Sequence, residues 1–143
     1  MRKARPIAYA LALMLCAAAP SAWTHGEDDG PQSGKPEKLG DVNFPVSCNA
    51  VAQKEFNRAM ALFHSFWFDP AKASFAEVLK HDPDCGMAYW GTSIMSMGNP
   101  FTWPTNPNAS KAGAPAAAEA QRVGAKTERE RDYIAALGVF FKD

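Results

Sequence analysis

The sequence predicts an all-α domain built of short helical hairpins, placed after a signal peptide and a disordered leader. Three observations carry this prediction. From Phe56 the apolar residues step through Ala59, Met60, Phe63 and Trp67, a single stripe at helical spacing. The dipeptides Asp69-Pro70, Asp82-Pro83 and Asn106-Pro107 divide the chain into short segments. Thr127-x-x-Glu130 has the reciprocal capping pattern that opens a helix.

The first residues are not part of that domain. Arg2, Lys3 and Arg5 precede the apolar run IAYALALMLCAAA and the small-residue stretch Pro20-Ser21-Ala22, the three parts of a secretory signal peptide. Cleavage after Ser21 puts Ala19 and Ser21 at the small-residue positions, a better fit than cleavage after Ala22. The run falls short of the ~20 residues that span a bilayer. Residues 22–40 are rich in Gly, Pro and charge, with no large apolar side chain between Trp23 and Leu39. Such a stretch buries too little surface to offset its ordering entropy.

Removing the signal changes charge and cysteine content. The 15 basic residues lose Arg2, Lys3 and Arg5, so 12 face 15 acidic ones, a net charge of −3. That excludes the basic footprint of a nucleic-acid binder. Cys16 leaves too, and Cys48 and Cys85 remain. Two thiols in an exported protein most economically form one disulfide; the alternative is two separate buried thiols.

The domain is expected over 41–143. DVNFPVSC gives an extended lead-in with Phe44 and Val46 tucked against the helices. Asn49 suits the N-cap of the first helix, whose polar side carries Gln53, Lys54, Asn57 and Arg58. Proline disfavours helical geometry in the residue before it and fits the first turn of a new helix. Each Asx-Pro pair is therefore expected to close one helix and open the next. The second helix, from Pro70 to near Pro83, comes to about three turns, ~18 Å, with the first a turn or two longer. Ala71, Phe75, Val78 and Leu79 form its stripe. Phe63 and Trp67 are expected on the inner face of the first helix, and Phe66 and Phe68 at the corner where the chain reverses. The segment after Pro83 is apolar almost all round, which implies burial between neighbours. It should end near Gly98-Asn99-Pro100. A loop with exposed Phe101 and Trp103 follows. An alanine-rich helix should start near Pro115 and fray at Gly124. The last helix turns Tyr133, Ile134, Leu137, Phe140 and Phe141 one way, so the chain reads as the first part of a longer protein or as a pairing subunit.

With these residues in place, the chain resembles a tetratricopeptide repeat (TPR). Ala71-x3-Phe75-x2-Val78-x4-Pro83 is similar to the second helix of that repeat, and Phe56, Ala59, Met60 and Phe63 sit at the spacing of its first. Tyr89 and Ser93 resemble large and small positions of a following unit. Met60 and Val78 stand where smaller residues are usual. More narrowly, FPVSC…ALFHSFWF…DPDCGMAYWG looks like the start of a group of exported bacterial TPR proteins, usually longer and mostly of unassigned function. The resemblance implies an α-solenoid fragment, which needs about three units for stability. It also implies that Cys48 and Cys85, set near one repeat period apart, lie side by side at the starts of equivalent helices. A bond there would clamp the lead-in to the second unit.

No catalytic signature occurs in the sequence: no H-E-x-x-H, G-x-S-x-G, phosphate-cradling glycine loop or C-x-x-C. Ser65 beside His64 is not a nucleophile pair, because adjacent helical residues point apart. Cys48, Cys85, His64 and His81 are nominally a zinc set, and Met87, Met95 and Met97 could attract copper(I). Oxidised cysteines and adaptable core methionines account for them better. Trp23-Thr24-His25 could chelate copper(II) only if Trp23 became the N-terminus. The expected function is a periplasmic or secreted scaffold that binds a protein or peptide, with no catalysis, cofactor or stable membrane span of its own. Its candidate contacts are Gln53, Asn57, His64, Phe101 and Trp103. The alternatives are a periplasmic metal- or small-ligand-binding protein and the non-catalytic N-terminal portion of a larger enzyme.

Overall fold

The computed structural model describes residues 38–99, 101 and 107–141. The expected signal peptide, residues 22–37 of the leader, and Trp103 lie outside the described residues. Within them the regular structure is helical, without strands: α1 (Ala50–His64), α2 (Phe68–His81), α3 (Gly86–Met95), α4 (Pro107–Val123) and α5 (Glu128–Phe140). None of these helices is long and apolar enough to cross a membrane.

Asn49 caps α1 as expected, its Oδ1 accepting from the Val51 and Ala52 amides. The same side chain donates from Nδ2 to the His81 carbonyl at the end of α2 (2.7 Å), and Asp82 Oδ2 accepts from the Asn49 amide (2.7 Å). The start of α1 thus meets the end of α2, so the two run antiparallel. Their shared interior holds Phe56, Ala59, Leu62, Ala71, Phe75 and Val78, all fully buried. Burying each large apolar side chain stabilises by roughly 1.5–3 kcal/mol.

The corner after α1 differs from expectation. The helix ends at His64, before Asp69-Pro70 is reached. The Trp67 amide donates to the Leu62 carbonyl and the Phe66 amide to the Phe63 carbonyl, both at 3.0 Å. These are the paired bonds of a Schellman motif, whose left-handed position usually holds glycine. Here that position is Phe66, with φ 61°. Pro70 lies inside the first turn of α2, where its missing N–H costs nothing because early helical amides have no intrahelical partner. Asp69 therefore does not cap α2; it sits in the first turn, a favourable place for a negative charge near the helix dipole. Because α2 begins two residues before Pro70, α1 and α2 are nearly equal, at 15 and 14 residues. Trp67 is not on the inner face of α1, being 40% exposed beyond the helix end.

Asp82-Pro83 is a turn rather than a helix start, and α3 begins at Gly86 with Cys85 as its N-cap residue. This helix is buried between neighbours, as its composition implied. The Phe75 ring packs directly over Gly91, where an added Cβ would sit well inside van der Waals contact. α4 starts at Pro107, so the expected start near Pro115 is overturned. Pro107 takes a favoured first-turn position, and packing keeps the turns before Pro115 helical. Ser93 Oγ donates to the Gly113 carbonyl (2.9 Å), and the Phe141 ring covers Gly113. α4 ends as expected before Gly124, which has φ 71°.

The capping box of α5 is complete in both directions. Of its expected apolar face, Ile134 and Leu137 are buried and Phe141 is half-buried, whereas Tyr133 and Phe140 remain about 40% exposed. Helices α1 to α5 pack each on the next in sequence, and α3 also packs on α5.

Candidate functional site

Residues 39–48 form no regular structure, yet they are held along their length. They run antiparallel to α1. Gln53 takes both sides of the local backbone: its Oε1 accepts from the Val46 amide (2.7 Å) and its Nε2 donates to the Phe44 carbonyl (2.9 Å). Asn57, one turn on, accepts from the Phe44 amide (3.2 Å) and from Gln53 Nε2 (3.0 Å) through Oδ1. From the other side, Arg129 donates to the Pro45 carbonyl, and Glu130 Oε1 accepts from the Ser47 amide (2.6 Å). Ser47 Oγ in turn accepts from the Lys126 amide (3.1 Å).

Three helices converge on one side chain of this segment. The Phe44 ring lies 5.6 Å from Phe56 of α1, 6.4 Å from Trp90 of α3 and 5.7 Å from Tyr133 of α5, centroid to centroid. Trp90 and Tyr133 meet edge-on at 5.6 Å, and the Arg129 guanidinium stands 4.7 Å from the Phe44 centroid. Such ring pairs add about 0.5–1.5 kcal/mol each beyond area burial. Leu39, Val42, Phe44 and Val46 all pack against the core. Leu39, inside the expected leader, thus packs against the helices.

Glu130 is fully buried. Burial pushes its carboxyl up, but the bonds from the Thr127 hydroxyl and amide and from Ser47 outweigh that and leave it below the ordinary glutamate value. One side chain thus closes the α5 capping box and anchors the lead-in.

Cys48 and Cys85 are bonded, with Cα atoms 5.2 Å apart. The bond fastens the end of the segment to the start of α3 and removes both sulfurs from any zinc set. Among the described residues no group of three or more His, Cys, Asp or Glu side chains is placed to hold a metal ion.

Of the expected contacts, Gln53 and Asn57 come together, with their amide groups engaged by the chain's own backbone. His64 and Phe101 lie elsewhere, at the α1–α2 corner. There the rings of His64, Phe63, Phe68, Phe66 and Phe101 follow one another at 5.2–6.4 Å. Trp90, Tyr133, Arg129 and Glu130 were not anticipated as site residues. A signal for Trp90 existed: the 37-residue offset from Cys48 to Cys85 carries Gln53 onto position 90. Arg129 and Glu130 have no such signal, because local patterning assigns both to the first turn of α5.

No protein-family model, curated protein or solved structure matches the chain.

Proposed function

We propose that this chain is an exported, TPR-like scaffold that binds extended polypeptide along the face formed by α1, α3 and α5, with no catalysis of its own. The observation that carries the reading is the convergence of Phe56, Trp90 and Tyr133 on Phe44, with side-chain groups of Gln53, Asn57, Arg129 and Glu130 bonded to the backbone around it. Side-chain bonds to backbone hold an extended chain whatever its sequence, and a ring pocket adds selectivity. The antiparallel pairing of α1 with α2 and the packing of α3 on α5 support successive hairpins, with α3 and α5 side by side. A disulfide belongs to oxidising compartments and supports export.

A photo-cross-linking residue at Tyr133, on this face, compared with one at Lys72, exposed on α2, tests the reading in the native envelope, in a chain carrying Phe44→Ala so that its own ring does not fill the face. Adducts to polypeptide are expected at Tyr133 and not at Lys72. Equal labelling at both, or none at Tyr133, would reject the face as a binding surface.

A further inference from the structure

We infer that residues 39–47 act as a built-in competitor, occupying a receptor groove whose external ligand is an extended peptide with an aromatic residue followed by proline and an aliphatic residue. This rests on the peptide-binding reading above and names the ligand class for the same face.

The pattern follows from the contacts of the segment. The amides of Phe44, Val46 and Ser47 are each accepted by a helix side chain, and the carbonyls of Phe44 and Pro45 each receive a donor. The residue between Phe44 and Val46 is a proline, so the segment contains no N–H there for the groove to satisfy. Proline at that position also keeps Phe44 extended, as the side-by-side pairing with α1 requires. The pocket built from α1, α3 and α5 accepts one flat ring and sets Arg129 within cation–π reach of it. Val46 packs against the core, whereas Asn43 and Pro45 are exposed and carry no selectivity through their side chains.

The α1 and α3 walls of the groove are fixed without residues 39–46. α1 is capped and paired with α2 through Asn49 and Asp82, independently of the segment. The Cys48–Cys85 bond pins the chain downstream of Ser47, so residues 39–46 can peel away from their upstream end while α1 and α3 stay joined. A segment tethered this closely competes at an effective concentration of about millimolar or more. Free peptide then binds the native chain weakly and binds tightly only when the cis ring is gone.

The test uses the mature, oxidised chain, its Phe44→Ala variant and a fluorescent peptide of sequence Asp-Val-Asn-Phe-Pro-Val-Ser, the chain's own residues 41–47. Phe44→Ala empties the ring pocket, and circular dichroism verifies that its helices remain. Peptide should bind the variant about 100-fold more tightly than the native chain, as expected for a millimolar competitor against a ligand of about 10 µM affinity. The same peptide with alanine in place of its phenylalanine should lose binding, and the active peptide should raise the variant's melting temperature. Equal binding to both chains, or no preference for the phenylalanine peptide, would overturn the inference. So would a concentration-dependent dimer of the native chain dissolved by the peptide, which would make a second copy the occupant. Peptide silence with Tyr133 cross-linking intact removes the competitor and leaves the scaffold reading; silence in both removes both.

Discussion

Phe66 holds a backbone conformation that costs a residue with a side chain about 1–2 kcal/mol. Its ring meets Phe68 at 6.1 Å and Phe101 at 5.6 Å, contacts worth about 0.5–1.5 kcal/mol each. The two effects are of the same size and opposite sign. Replacing Phe66 with glycine should therefore change stability by less than about 1 kcal/mol, as the strain and the contacts leave together; urea denaturation would measure it. Glu130 is a different case, because its carboxylate form is the one the fold favours. Its folded-state carboxyl lies below the ordinary glutamate value of 4.5. The stability it contributes is thus full above that value and lost as pH falls through the lowered folded value. Glu130→Gln should cost about 1–2 kcal/mol at neutral pH. The gap between variant and native melting temperatures should narrow as pH falls below 4.5, and a gap that widened there would contradict this account.

Helix identity followed from spacing, but helix ends were set by features that spacing does not report. α1 stops through backbone bonds at Phe66 and Trp67, upstream of the proline expected to stop it. α4 continues through Pro115 because Ser93 and Phe141 hold the turns before it. The contact between α2 and α3 depends on Gly91. Gly91→Ala gains about 1 kcal/mol of helix propensity but forces a methyl against the fully buried Phe75, an overpacking that costs about 1–3 kcal/mol. The net effect should be a lower urea midpoint with an unchanged slope. Asn49 serves two elements at once, as cap of α1 and donor to the end of α2. Asn49→Ala should cost about 1–2 kcal/mol, and Asn49→Asp should recover the cap but not the bond to His81.

For the domain as a whole, the disulfide joins positions separated by 37 residues. In the chain-entropy model a loop of that size stabilises by about 3–4 kcal/mol. The Cys48→Ser, Cys85→Ser double variant should lose that much in urea denaturation. Thiol labelling of native protein should find Cys48 and Cys85 unreactive until reduction. Two reactive thiols in exported protein would remove the clamp.

The sequence alone determined the helical class, the α1 and α5 caps, the burial of α3 and, of three cysteines, the two that fall in the helical region. These depend on residues within a few positions of each other, or on the cysteine count, and both are visible along the chain. The tertiary structure decided what the polar face of α1 does. Gln53 and Asn57 look solvated on a helical wheel, yet their partners at Phe44 and Val46 approach only because the lead-in folds back. It also decided that Trp90, Tyr133, Arg129 and Glu130 share one site with them. Those residues come from α3 and α5, and only helix packing brings groups so far apart in the chain around a single ring.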